Sequence, residues 1–125
     1  MRKLNLLLRL LFLTLLVVLN SCSDNPVNPV QTDTHYFELL QNYPNPFNES
    51  TTISFVISQT SFVNLKIFNS EGNEITTLVN QSRNAGFYSV KVNGAGLSGG
   101  TYFYTLNILT DSATYYFKKQ MVLIK

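Results

Sequence analysis

The chain has 125 residues, one cysteine, one histidine and a formal net charge of +2. One cysteine rules out an internal disulfide, and a lone histidine, His35, argues against both a histidine-based metal site and a Ser-His-Asp relay. Setting aside residues 1–21 leaves six basic against seven acidic residues. No basic patch of the size that nucleic-acid binding needs then remains.

The chain opens with Met1-Arg2-Lys3, followed by an apolar run from Leu4 to Leu19 that Asn5 and Arg9 interrupt. Its uninterrupted part, Leu10 to Leu19, is ten residues. A bilayer crossing takes about 20 apolar residues, so residues 1–21 read as a secretory signal peptide with a basic start. The run ends in Leu19-Asn20-Ser21-Cys22. A bulky aliphatic residue three before a cysteine, and a small one just before it, resemble a bacterial lipobox; Asn20 departs from the usual pattern. The resemblance implies cleavage before Cys22 and its acylation, which ties the chain to a membrane through a lipid. Residues 22–35 are rich in Asn, Pro, Thr and Asp, with little to bury, and are expected to form a flexible tether. Residues 36–125 are expected to form one domain that buries a modest core without disulfides, built on its many Phe and Tyr rings.

The domain begins with an unusually constrained stretch, Gln41-Asn42-Tyr43-Pro44-Asn45-Pro46-Phe47-Asn48. Pro44 and Pro46 fix φ and remove two backbone donors. Tyr43 and Asn45 each precede a proline and are pushed away from helix. With two ladder donors missing, the stretch cannot be a central strand. It is expected to act as a structural clamp, Tyr43, Pro44, Asn45, Pro46 and Phe47, with the rings of Tyr43 and Phe47 laid on a neighbouring surface.

Beyond Asn48, apolar residues alternate with polar ones, the signature of half-buried strands. Ser50–Ile57 places Ile53, Phe55 and Ile57 on one face. Phe62–Asn69 does the same with Val63, Leu65 and Ile67. Asn69-Ser70-Glu71-Gly72-Asn73 reads as a hairpin turn in which Gly72 takes positive φ. Glu74–Asn80 follows, but its inward candidates, Ile75 and Leu78, are out of phase, which predicts a bulge or a strand end. Gln81–Ala85 is polar and turn-like. Gly86 opens a strand with Tyr88, Val90 and Val92 on one face. A glycine-rich loop, Asn93–Gly100, leads to Thr101–Leu109, where Tyr102, Tyr104, Leu106 and Ile108 align. Thr114–Ile124 is the last strand. With an edge strand near Tyr36–Leu40 the count is about seven. The fold class is therefore all-β, an antiparallel immunoglobulin-like β-sandwich.

Catalytic constellations are hard to find. The glycine-rich loop leads into a strand, whereas a phosphate cradle leads into a helix N-terminus. The carboxylates Glu38, Glu49, Glu71, Glu74 and Asp111 are scattered over turns and edges with no paired spacing. No nucleophile–base pair is visible, so neither an enzyme, a cofactor nor a small-molecule substrate is expected.

Several stretches together resemble a known family. Phe37-Glu38-Leu39-Leu40-Gln41-Asn42-Tyr43-Pro44-Asn45-Pro46-Phe47-Asn48, then Thr51-Thr52-Ile53-Ser54-Phe55, is similar to the start of the type A C-terminal sorting domain of the type IX secretion system. Further matches are Val63–Asn69, Gly72, Ala85–Val90 and Gly96–Tyr104. The last is Lys118-Lys119-Gln120-Met121-Val122-Leu123-Ile124-Lys125, which resembles the family's K-K-M-V-L-L-K ending. Departures are Glu49 where proline is common, Ile57-Ser58 for Leu-Pro, and Gln120 between the lysines and Met121. The resemblance implies a non-catalytic targeting domain that meets an outer-membrane secretion translocon and its processing machinery. It also implies a route through the periplasm to the outer membrane, cell surface or medium, with Lys118, Lys119, Met121 and Lys125 as the sorting signal. Two other readings use the same residues. One is an outer-membrane or surface lipoprotein whose sandwich binds a protein or glycan, since fold alone does not set function. The other is a remnant of a longer secreted protein, because signal, tether and sorting domain account for the whole chain without a cargo.

Overall fold

In the computed structural model, residues 34–125 are described. They hold seven strands in chain order: β1 (Phe37–Leu39), β2 (Ser50–Ile57), β3 (Ser61–Asn69), β4 (Glu74–Arg83), β5 (Gly86–Asn93), β6 (Gly100–Leu109) and β7 (Thr114–Leu123). All pair antiparallel, in a three-stranded sheet β1-β2-β5 and a four-stranded sheet β4-β3-β6-β7. The sandwich differs from the constant-type immunoglobulin arrangement, where the fourth strand joins the sheet of the first, second and fifth. Here β4 lies beside β3.

Alternation in the sequence sets which side chains meet between the sheets. Ile53, Phe55 and Ile57 of β2 face Val63, Leu65 and Ile67 of β3 and Tyr104, Leu106 and Ile108 of β6, all essentially fully buried. Register follows from this, because a one-residue slip would turn each set of rings and branched chains to solvent. The sharp turn after β3 is held by Asn69, whose Oδ1 accepts from the N–H of Glu71 (3.1 Å) and Asn73 (2.9 Å). Gly72 supplies the positive φ of 87° that this turn requires, a conformation open to glycine at little cost.

β4 departs from simple alternation as its sequence predicts. Leu65 pairs with Val79 but Lys66 with Thr77, and Ile67 pairs with Thr76 but Phe68 with Glu74. Leu78 and Ile75, the two out-of-phase residues, are the ones the ladder skips, each in its own bulge. The inward side chain is instead Val79, 5% exposed, while Ile75 is 40% exposed. The strand also runs on to Arg83, through residues that read as a turn. An outer strand pairs on one side only, so its polar tail needs no apolar face. Glu74 at its start accepts from the Thr77 hydroxyl (2.7 Å) and Lys66 (3.2 Å), and these two bonds hold its carboxyl below the usual carboxylate range.

Tyrosine hydroxyls tie the strand starts to the preceding loops. Tyr102, near the start of β6, donates to the Ser98 carbonyl at 2.7 Å. This is the tyrosine-corner arrangement of immunoglobulin-like sandwiches. Tyr88 repeats it at β5, donating to the Asn84 carbonyl at 2.6 Å, with Arg83 5.2 Å above its ring.

Candidate recognition surface around the terminal strand

Residues 40–47 carry the chain from one sheet to the other. Tyr43 exchanges backbone hydrogen bonds with Thr52 of β2, both 3.0 Å. Four residues later Phe47 bridges in parallel to Leu123 of β7. Its N–H donates to the Val122 carbonyl (2.9 Å) and its carbonyl accepts from the Ile124 N–H (2.8 Å). Between these points the Tyr43-Pro44 and Asn45-Pro46 peptides are both cis. The prolines contribute carbonyls only, and the seam draws its donors from neighbours: Thr51 Oγ1 donates to the Pro44 carbonyl at 2.7 Å. Asn42 Nδ2 reaches Thr51 Oγ1 at 2.9 Å, and the Asn45 Oδ1 accepts from the Val122 N–H at 2.9 Å.

Asn42 and Thr51 are 2% and 1% exposed, so the network is buried, and no buried side-chain polar atom among the described residues lacks a partner. Such a network fixes geometry because an unpaired member carries the full desolvation penalty. Its anchor is Tyr104, whose hydroxyl accepts from the Asn42 N–H (2.8 Å) and donates to the Leu40 carbonyl (2.9 Å). Burial pushes this phenol up to about 12, opposed by the Asn42 N–H.

The two clamp rings part company. Phe47 is 2% exposed and sits in the core, touching the space beside Gly94, where an added Cβ would lie 3.1 Å from the ring and 3.0 Å from Leu123. That close approach is why the loop after β5 needs a glycine there. Tyr43 is 82% exposed, so its ring faces solvent where packing was expected, and Pro44, Asn45 and Pro46 are exposed with it. The reason is local: Tyr43 spends both backbone groups on Thr52, which turns its side chain to the outer side of β2. The clamp therefore holds through its backbone, Asn45 and Phe47.

The expected sorting residues do not form one patch. Lys118 lies on the outer face of the four-stranded sheet, its ammonium 4.6 Å from the Phe103 ring centroid. Lys119 points to the opposite face, in the phase of Met121, and is half-buried. Met121 is fully buried, out of reach of a partner while the domain is folded. Lys125 is exposed and donates to the Ala95 carbonyl at 3.2 Å. Cys22, the expected lipid site, lies outside the described residues. Among the described residues, no cluster of three or more His, Cys, Asp or Glu could hold a metal ion.

What the sequence did not disclose is the pairing of the clamp with β7. The amide side chains that make it, Gln41 and Asn45, with Asn42 holding the Gln41 amide, read only as polar neighbours of proline. Gln41 Nε2 donates to both the Asn42 Oδ1 and the Gln120 carbonyl, each at 2.7 Å.

Comparison with known proteins places this arrangement. No curated protein matches the chain. A solved structure, CopC from Methylosinus trichosporium OB3b, is 12% identical and covers 70% of this chain and 93% of its own, with a TM-score of 0.49. The family model described as the secretion system C-terminal sorting domain matches residues 41–123, from Gln41 of the clamp to Leu123 at its far anchor. The chain belongs to the secretion system C-terminal sorting domain family.

Proposed function

We propose that this chain is a non-catalytic sorting module of the type IX secretion system, recognised by the outer-membrane translocon. The observation that supports it is the extent of the family match, residues 41–123, which takes in the clamp and β2 through β7. On this reading, residues 1–21 are a leader and residues 22–35 a tether acylated at Cys22. Residues 36–125 are the sorting domain, and the route runs through the periplasm to the cell surface or medium. Recognition is by shape, charge and edge hydrogen bonds, with Lys118 and Lys125 exposed to the partner, Lys119 half-buried on the inner side of the same edge, and Met121 holding β7 in place.

The test is an export assay. The full chain, carrying a fluorescent protein inserted between residues 33 and 34, is expressed in a bacterium that has the type IX machinery. Reporter should appear at the surface or in the medium, and disappear from there in a strain lacking the translocon. Reporter held in the periplasm of the intact strain would overturn the reading. Mass spectrometry of the same material reads Cys22: a diacylglycerol adduct supports the anchor, and an unmodified thiol or a start downstream of residue 22 removes it.

A further inference from the structure

The outer edge of β7 is divided into two halves. The bonds of Val122 and Ile124 to Asn45 and Phe47 show that the even-numbered residues of β7 turn their backbone groups away from β6. In the second half these groups are occupied: Gln41 takes the Gln120 carbonyl, and Asn45 and Phe47 take Val122 and Ile124. In the first half, at Thr114, Tyr116 and Lys118, no strand pairs with them among the described residues. The ladder with β6 is regular from Thr114 to Leu123, so this open half carries no bulge. The opposite border of the sheet is broken by the two bulges of β4 and offers no comparable run.

Charge makes the open half selective. Residues 114–125 contain Lys118, Lys119 and Lys125 and no acidic residue. Lys118 and Lys119 occupy opposite faces of the strand, and neither has a carboxylate partner among the described residues; the ion pair found there is Lys66–Glu74. Lysines on an edge, one of them pointing inward, discourage indiscriminate strand pairing. A strand that brings its own carboxylates would meet them instead as partners, because side chains of an added strand alternate between the same two faces. Electrostatic complementarity of this kind sets partner choice.

We propose that the open half of the β7 edge, Thr114–Gln120, receives an extended acidic segment of the secretion machinery as an added strand. The proposal rests on the sorting reading above. Backbone groups of Thr114, Tyr116 and Lys118 supply the ladder. Lys118 and Lys119 donate to carboxylates on the two faces, and Gln41 at the Gln120 carbonyl sets where the added strand stops.

The test uses the reporter-bearing full chain and four variants, each checked for folding by thermal melting. Tyr116→Pro removes one outward N–H that makes no bond within the domain, a position where an edge strand tolerates proline. Lys118→Glu with Lys119→Glu reverses both charges, and Lys118→Arg with Lys119→Arg keeps them. Phe87→Ser alters an aromatic residue that is 63% exposed on the other sheet. Export should fall at least ten-fold for the proline and double-glutamate variants, and stay within two-fold of the parent for the arginine pair and Phe87→Ser. Parental export of either folded loss variant overturns the added strand, as does loss in the glutamate pair alone with full export of Tyr116→Pro. If Tyr116→Pro does not fold, Thr114→Pro, which removes the outward N–H at the first residue of β7, a position where strands tolerate proline, takes its place under the same criteria. Failure of the unmutated parent to leave the periplasm is a different result: it removes the sorting reading on which the proposal stands.

Discussion

β4 and β7 are the two outer strands of one sheet, and they are finished in different ways. β4 is exposed along most of its length and interrupted by bulges at Leu78 and Ile75. β7 is a regular ten-residue strand whose second half is covered by another part of the chain. Only Val79 of β4 is buried, whereas β7 sends Met121 and Leu123 into the core at 0% and 2% exposure. An edge can thus be blunted by irregularity or sealed by pairing. Sealing ties that strand's fate to a distant segment, and blunting leaves it independent.

The contrast is sharpest on truncation. Removing Met121–Lys125 deletes two buried side chains and the partners of Phe47. Buried Leu or Met to Ala costs about 2–5 kcal/mol each, against a total stability of about 5–15 kcal/mol. The truncated domain should lose its cooperative thermal transition. An export assay on the trimmed chain would therefore read folding before recognition, and circular dichroism on the purified protein separates folding from recognition; a sharp melt in the truncated form would break the comparison.

Next in size is the clamp itself. Phe47→Ala should destabilise by about 3–5 kcal/mol, while Tyr43→Ala, whose ring faces water, should stay within about 0.5 kcal/mol. Equal denaturation midpoints for the two variants would show that the seam carries no load.

Tyr104→Phe should cost about 1–3 kcal/mol by stranding the Asn42 N–H and the Leu40 carbonyl. It also carries a pH signature. The Tyr104 phenol is raised above its ordinary 10.0 to about 12, so the folded state holds the proton more tightly. Its contribution is fully present below pH 10 and is lost as pH rises through about 12. The gap between the two proteins in urea should therefore narrow from pH 10 upward, and a constant gap would assign the phenol no such role. The smallest effect belongs to β4: Ile75→Thr, in a bulge at 40% exposure, should move stability by no more than about 0.5 kcal/mol.

The strands were legible because one physical rule, a buried face with period two, wrote them plainly in β2, β3, β5 and β6. The bulges of β4 were legible for the same reason in reverse, as a break in that rule. Its continuation to Arg83 was not, since a polar outer strand looks like a turn. The seam was half legible. Two prolines announced a constrained segment, but its partner lies far along the chain, and a hydrogen bond given by Gln41 to the backbone of β7 and one accepted from it by Asn45 leave no periodic trace. Tyr43 and Phe47 look alike as aromatic residues flanking proline; only the Tyr43–Thr52 bridge, a contact between segments, turns one ring out and leaves the other in.

The parallel pairing of Phe47 with β7 has a consequence in time. Asn45 and Val122 are 77 positions apart, and such distant contacts must wait for most of the loop-closure entropy to be overcome. The place for Phe47 beside Gly94 and Leu123 does not exist until the last strand has been made and laid down. A chain halted anywhere before residue 121 leaves that ring without a home, however well β2 to β6 have formed. The finished domain is in this sense a physical record that synthesis has run through β7.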